Sequence, residues 1–446
     1  MTRLDLRSPE LLAARAPRYT SYPPATRFSP DVGPKKTESW LRAIPAGSRV
    51  SVYLHMPFCR RLCWFCACRT QGTRTDAPLA AYVQALECEI ELVASRLPPG
   101  VRASQIHFGG GTPTLLPPAL IERLGRALAR TFPLAPRAEV SVEIDPTVLD
   151  GDRLDAFAAI GMSRASIGVQ DFDPAVQAAI GRPQGEDVTQ AAIDDLRARG
   201  VTGINLDLLY GLPRQTQDSF RRTLDAVVGM EPTRLALYGY AHMPWMSKRQ
   251  ALIDEASLPG VPERLALFET AEHRLAGAGY DRIGIDHFAR PGDAMHAAAL
   301  SGRLKRNFQG YTTDRAGVLI GLGASSISRF PQGFAQNAPA TADWTRAVRA
   351  GRLATARGVA LTEDDRLRGE AIERFLCDLA LIPERLSVPA FGRRMAWHFL
   401  SRWSDALANR TDGGVELRPD ARHLARLVAM EMDAYAVEPG RHSIAV

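Results

Sequence analysis

Between about residue 50 and residue 330, short β-branched runs alternate with longer amphipathic segments, and this rhythm restricts the possible folds more than any other property of the chain. Strands are expected over 50–56 (VSVYLHM), 104–110 (SQIHFGG), 139–145 (EVSVEID), 164–170 (RASIGVQ), 203–211 (GINLDLLYG) and 234–240 (RLALYGY). Helical periodicity occupies 79–97, 121–132, 188–200 and 218–230. Each strand-then-helix unit has the size of a βα module, in which a helical crossover joins parallel neighbours. The expected core is therefore an α/β parallel sheet curled toward a barrel. Glycines and polar residues gather where the strands end, the face on which barrel enzymes build their sites.

The flanks read differently. Residues 1–45 are rich in Pro, Ser and Arg and are expected to form an irregular N-terminal arm, leaving 46–355 for the barrel and a substrate-site extension. From about residue 356 long helical patterns take over, at 364–381 and 420–436, with a turn and short strand at 413–419. A mostly helical C-terminal domain over 356–446 follows. The chain has 446 residues, 46% hydrophobic and 23% charged, which is ample for a core. Its net charge of +6 is explained more simply by a mixed-charge surface than by an anionic partner, and no nucleic-acid partner is expected. The first residues lack a sustained apolar run, and no stretch approaches the ~20 apolar residues of a membrane span, so a soluble cytoplasmic protein is expected.

Four of the six cysteines lie within ten residues: Cys59, Cys63, Cys66 and Cys68, in HMPFCRRLCWFCACRT. The first three have the spacing C-x3-C-x2-C, so three thiolates can hold three corners of a [4Fe–4S] cube and leave the fourth iron without a protein ligand. A zinc knuckle or a group of buried thiols is the competing reading, but structural zinc sites favour paired C-x2-C sets. Clustered cysteines also suit a reducing compartment rather than a disulfide framework, and Cys88 and Cys377, in helical patterns, read as core fillers. With Phe65 before the third cysteine, the pattern resembles the radical S-adenosylmethionine (SAM) enzymes. That resemblance implies that SAM chelates the open iron and is cleaved reductively to a 5′-deoxyadenosyl radical, chemistry that belongs to the cofactor and is aimed by the protein.

Other motifs bear on the aiming. HFGGGTPT puts Gly109, Gly110 and Gly111 after a strand, where the backbone can approach a ligand or simply turn. In SVEIDP, Glu143 and Asp145 alternate and so share a face. Glu143 reads as functional and Asp145 as the cap of a following helix. Gln170 and Asp171 end another strand, and Asp207 sits among apolar neighbours, where a carboxylate needs either a structural partner or a ligand. His242 and His287 lack metal-ligand spacing and are expected to be hydrogen-bonded. LKRNFQGYTT brings together Arg306, Phe308, Gln309 and Tyr311, a mixture suited to a planar or carboxylate-bearing ligand.

Taken in order, RYTSYP (18–23), the cysteine run, GGGTPT, GVQDF, LDLLYGLP, YAHMP, DHFARP and NFQGYTT resemble the oxygen-independent coproporphyrinogen III oxidase (coproporphyrinogen dehydrogenase) family. The resemblance covers nearly the whole chain and is weakest after about residue 380. It implies a monomeric, partial (β/α)6 TIM-like radical SAM barrel. It implies oxidative decarboxylation of the ring A and B propionates of coproporphyrinogen III, giving protoporphyrinogen IX in haem biosynthesis. Two SAM molecules would be bound and consumed, with an electron donor such as flavodoxin or ferredoxin and an unidentified electron acceptor.

By the same resemblance Cys59, Cys63 and Cys66 are the cluster ligands. Tyr53, Phe65, Gly110, Glu143 and Ile327 match positions for the SAM on the cluster, and Gly111, Thr112, Gln170, Arg182, Asp207 and Ala241 match positions for a second SAM. Cys68 is not a ligand but a nearby thiol needed for activity. Because the substrate carries four propionates, Arg18, Arg290 and Arg306 are candidate carboxylate partners. Four departures from the family pattern stand out: Met56 before Pro, Ala67 for Gly between the last two cysteines, Gly181 for Asn before Arg182, and Gly239 for Asn before YAH. A haem chaperone of the same superfamily is the main rival, but Cys68 and the RYTSYP arm argue against it. A radical methyltransferase or cyclopropanase is opposed by NFQGYTT and DHFARP, and a pure electron carrier has no use for an open iron.

Overall fold

The computed structural model describes residues 4–436; the first three residues of the expected arm and 437–446 of the expected C-terminal domain lie outside the described residues. Six parallel strands follow one another in both sequence and space: β1 (Arg49–Met56), β2 (Arg102–Gly110), β3 (Leu134–Ile144), β4 (Arg164–Gln170), β5 (Gly203–Tyr210) and β6 (Arg234–Gly239). Helices Ala77–Ala94, Pro118–Thr131, Gly151–Ala159, Glu186–Ala198 and Gln217–Gly229 make the crossovers. In β5, Ile204, Leu206 and Leu208 are fully buried, whereas Asn205 and Asp207 between them are only partly so. Period-two alternation thus sends apolar side chains to the helices and polar ones to the concave side. Register stacks the polar ones in rows, with Glu143 beside Ser166 and Ser166 beside Asn205.

The sheet extends beyond the six expected strands. At one edge β7 (Asp281–Ile283) and β8 (His287–Ala289) continue from β6 in antiparallel sense, so the order there is β6-β8-β7. At the other, β9 (Leu319–Leu322) pairs parallel to β1 and is followed by antiparallel β10 (Ile327–Phe330), β11 (Gly333–Asn337) and β12 (Thr355–Ala360). The division placed between 355 and 356 falls at the start of β12, which pairs with β11 as far as Ala360.

Two readings of the flanks are corrected. The arm is not wholly irregular: helix Pro34–Arg42 buries Trp40 and Leu41 in the barrel core, and Tyr19 and Tyr22 join the C-terminal core. Segment 420–436 is not one helix but a 3-10 turn (Pro419–Leu424), a single α-turn (Ala425–Ala429) and another 3-10 turn (Met430–Met432). Leu424, Ala425, Val428, Ala429 and Met432 are all buried, so the segment wraps within its core rather than resting one stripe on it. No helix among the described residues is long and apolar enough to cross a membrane.

Candidate active site

Where β1 ends, the chain enters the cysteine loop, closed by pairing of Phe58–Cys59 with Gln71–Gly72. Its carbonyls are pinned from outside: Ser247 Oγ donates to Cys66 O (3.0 Å), Arg249 Nη2 to Cys68 O (3.0 Å) and Gln250 Nε2 to Phe65 O (2.8 Å). The sequence reading overlooked these three residues, and no motif marks them beyond a polar run after YAHMPW. On the other flank Trp64 N donates to Ile180 O, and its indole lies against Gly181, a helix C-cap at φ +64. A Cβ there would stand 2.9 Å from the ring, so the departure at 181 makes room for Trp64. Ala67 does not take a positive φ, and its methyl is tolerated.

All four thiols line one cavity of about 910 Å³ at the strand C-termini. Cys63 is buried, and Cys68 is accessible through the cavity that it faces. Burial pushes Cys59 up to about 11. The Cys68 thiol hydrogen-bonds Cys66 and, with the Cys68 amide, Arg249 and Arg182, overcomes burial to hold Cys66 down at about 6; the same contact pushes Cys68 up. Arg182 Nη1 reaches Cys63 Sγ at 3.4 Å, while its buried Nε has no partner.

The described residues contain no group of three His, Cys, Asp or Glu side chains that converges on a single metal position. A cubane is ligated by one thiolate per iron, so its ligands surround it instead of converging. Three thiols beside a buried guanidinium fit such an anionic cluster. The glycine run fits as well: Gly111 N and Thr112 N donate to Met56 O and Phe58 O, which stitches the run to the chain entering the cysteine loop. A Cβ on Gly111 would lie 2.7 Å from Met56 O, and one on Gly109 would lie 2.6 Å from Glu143 Oε1. Only glycine permits both approaches.

Carboxylates share the wall beside the thiols with Arg182 and Arg249. Glu143 accepts from Gly110 N (2.8 Å) and contacts His107 Nε2 (3.2 Å), while His107 stacks on Tyr53 with ring centroids 5.7 Å apart. Burial would raise Glu143, but His107, the Gly110 amide and His55 outweigh it and hold the carboxyl low. Asp207 accepts from Ser166 Oγ (2.9 Å) and Asn205 Nδ2 (2.8 Å), yet burial still pushes it up to about 6. Gln170 closes β4 at φ +70, a left-handed conformation that costs a non-glycine residue about 1–2 kcal/mol. Asp145 caps the next turn through Thr147 N, as the sequence reading expected.

Guanidinium groups dominate the other end. Arg18, from the arm, donates to Gly239 O (2.9 Å), where a side chain at 239 would press on Tyr210 and Arg264. Arg306 lies 4.4 Å over the Tyr311 ring and donates to Arg18 O (3.0 Å), but its Nε and Nη1 are buried without partners. Asp286, paired with His287 Nδ1 at 2.7 Å, is the adjacent acid. Phe308, Gln309 and Ile327 line the same cavity, as do Phe65, Thr112 and the other expected site residues with two exceptions. Ala241 sits just behind the lining, its carbonyl accepting from Gln250. Arg290 is elsewhere: its amide bonds Thr233 O at the start of β6, and its side chain covers Tyr280 and faces Glu231. His242, held by Tyr240 and Glu255, is hydrogen-bonded as expected.

Comparison with known proteins agrees with this geometry. The radical SAM superfamily profile matches residues 53–227. The oxygen-independent coproporphyrinogen III oxidase of Paracoccus denitrificans is 49% identical over 440 residues, 98% of each chain. That of Cereibacter sphaeroides is 51% identical over 436 residues, 95% of each. The solved structure of Escherichia coli coproporphyrinogen III oxidase superposes with a TM-score of 0.88 at 37% identity, covering 94% of this chain and 97% of the other. This chain belongs to the oxygen-independent coproporphyrinogen III oxidase family, within the radical SAM superfamily.

Proposed function

We propose that this protein carries out the oxidative decarboxylation of coproporphyrinogen III, converting the ring A and B propionates to vinyl groups and yielding protoporphyrinogen IX. The observation that carries this reading is one cavity that the clustered thiols, Glu143 and Asp207 share with Arg18, Arg306 and the aromatic Phe308. A cationic sulfonium and a tetra-anionic macrocycle would each find opposite charge there.

Cys59, Cys63 and Cys66 would hold a [4Fe–4S] cluster. When bound, the cluster and SAM supply the radical that removes hydrogen from unactivated carbon. The chain's own residues orient and enclose. Glu143, Gly110, Tyr53, Phe65 and Ile327 would surround the SAM on the cluster, and Glu143, held ionised, attracts its cationic groups. Gly111, Thr112, Gln170, Arg182 and Asp207, with Ala241 adjoining through Tyr240, would take a second SAM. Arg18 and Arg306 would meet propionates, with Phe308 and Gln309 against the macrocycle. Cys68 would act beside the cluster without ligating it. We further assign an arm (1–45), a barrel with its extension (46–355) and a C-terminal domain (356–446). We also assign a monomeric cytoplasmic state, and reduction by a flavodoxin or ferredoxin.

Anaerobically reconstituted protein given coproporphyrinogen III, SAM, a reductant and an electron acceptor should yield a product lighter by two CO2 and four hydrogens. SAM cleavage with unchanged porphyrinogen in the mass spectrum would refute the substrate. Cys68→Ser should retain cluster content, read by its visible absorption and iron count, while vinyl formation fails.

A further inference from the structure

The consecutive 3-10 turn and α-turn of the C-terminal segment carry Arg422 and Arg426, four residues apart, into the wall of the cavity that Arg18, Arg282 and Arg306 also line. Two acids that face these groups have partners already: Asp286, near Arg306 and Arg426, is paired with His287, and Glu272, near Arg422, receives Arg282 at 2.8 Å. Arg306 is only 7% exposed, and its Nε and Nη1 have no hydrogen-bond partner; Nε of Arg422 is likewise buried and unpaired. Arg426 donates to Ala16 O at 3.3 Å, which ties the arm into the same group. Burial and the neighbouring Arg18 and Arg306 push Arg426 down to about 10, and burial with Arg282 lowers Arg422. The charges of Arg422 and Arg426 are thus disfavoured where they stand, whereas Tyr311 and Asp286 support that of Arg306, and a buried donor without an acceptor is costly to keep. A planar carboxylate accepting two parallel N–H bonds relieves both conditions.

We infer that Arg422 and Arg426, with Arg306, form a carboxylate-binding site for the two propionates that the reaction leaves in place. Held there, the macrocycle presents its other two propionates toward the cysteine loop. The C-terminal domain thereby becomes part of the substrate site, a role that its helical pattern did not signal. This inference rests on the coproporphyrinogen reading.

The test uses full-length protein and three probes followed by fluorescence titration: coproporphyrin III with four carboxylates, protoporphyrin IX with only the two retained ones, and coproporphyrin III tetramethyl ester with none. Arg422→Gln and Arg426→Gln are each expected to weaken both acids about tenfold, the loss of one charge-assisted hydrogen bond. The ester should bind both variants as it binds the parent. Arg426→Lys, which keeps the charge, should recover part of the loss. If Arg426→Gln does not fold, the half-exposed Arg422→Gln carries the same test. Unchanged affinity for both acids overturns the inference, and so does weakening confined to the tetracarboxylate, because the site would then grip the reacting propionates. Those two outcomes leave the reaction intact, whereas a parent protein that binds SAM but no coproporphyrin III overturns the inference together with the substrate assignment.

Discussion

Glu143 and Asp207, at one end of the cavity, already hold hydrogen bonds from His107, Gly110, Ser166 and Asn205, whereas Arg306, at the other end, keeps two N–H groups with no acceptor. The first end is organised before any ligand arrives, by donors on neighbouring strands in fixed register. The second is assembled from the arm, the hairpin Lys305–Asn307/Gly310–Thr312 and the C-terminal segment, and Arg306 and Arg422 there keep buried N–H groups without an acceptor. Rigid parallel strands therefore suit the end where a reactive cofactor must be positioned closely. The appended elements suit recognition of a large, highly charged substrate.

The sharpest way to break this comparison is a crossed pair of substitutions. Glu143→Gln should weaken SAM binding by about 10–100-fold, the range for hydrogen bonds to a charged group, and leave coproporphyrin III affinity unchanged. Arg306→Gln should do the reverse by a similar factor. Isothermal titration of both ligands against both variants reads all four combinations. If either substitution affects both ligands equally, the two ends are not independent.

The same contrast explains how far the sequence could be read. The six parallel strands are legible because each is a short β-branched run recognisable by itself, whereas the polar rows across them depend on the register between strands. Glu143 and Asp145, two residues apart and on one face, both line the cavity, and Asp145 also caps the following turn as its place before Pro146 suggests. Spacing alone leaves Asp207 open between a structural partner and a ligand, and only the family resemblance gives it a ligand role; in the structure it has Ser166 and Asn205 as partners and lines the cavity. The loop clamp of Ser247, Arg249 and Gln250 was illegible because it acts on carbonyls more than 180 residues away in the chain, through side chains common on any surface. Arg422 and Arg426 were missed for a related reason. Spacing of four residues puts them on one face of any helical turn, but nothing in the sequence says that this face, rather than a solvated one, lines the cavity.

Asp207 offers a smaller effect that sharpens the description of the cofactor end. Its carboxyl is raised from 3.8 to about 6 in the folded chain, chiefly by burial. The folded state therefore holds the proton more tightly than the unfolded state. Its favourable contribution is complete below about pH 4 and is lost as pH rises through about 6. At about 1.4 kcal/mol per pKa unit, and discounting for water in the open cavity, the loss amounts to ~1–2 kcal/mol. Asp207→Asn, which cannot ionise, should flatten that part of the profile and make the cluster-free protein more stable than the parent at pH 8 but not at pH 4. Urea unfolding at the two pH values measures it, and a variant less stable at pH 8 would mean that the carboxylate is better satisfied than its surroundings indicate.

The smallest expected effect belongs to Arg290, which sequence position alone grouped with Arg18 and Arg306. The three differ in what surrounds them. Arg290 is outside the cavity lining, its amide on Thr233 O just before β6 and its guanidinium 5.0 Å over the Tyr280 ring and 3.6 Å from the exposed Glu231. An exposed cation–π contact and a loose surface pair together are worth under ~1 kcal/mol. Arg290→Ala should therefore shift the urea midpoint slightly and leave coproporphyrin III affinity within error of the parent. A tenfold loss of affinity there would remove the distinction between a guanidinium that lines the cavity and one that covers a tyrosine outside it. The basic end would then owe its binding to the overall positive field rather than to directed hydrogen bonds.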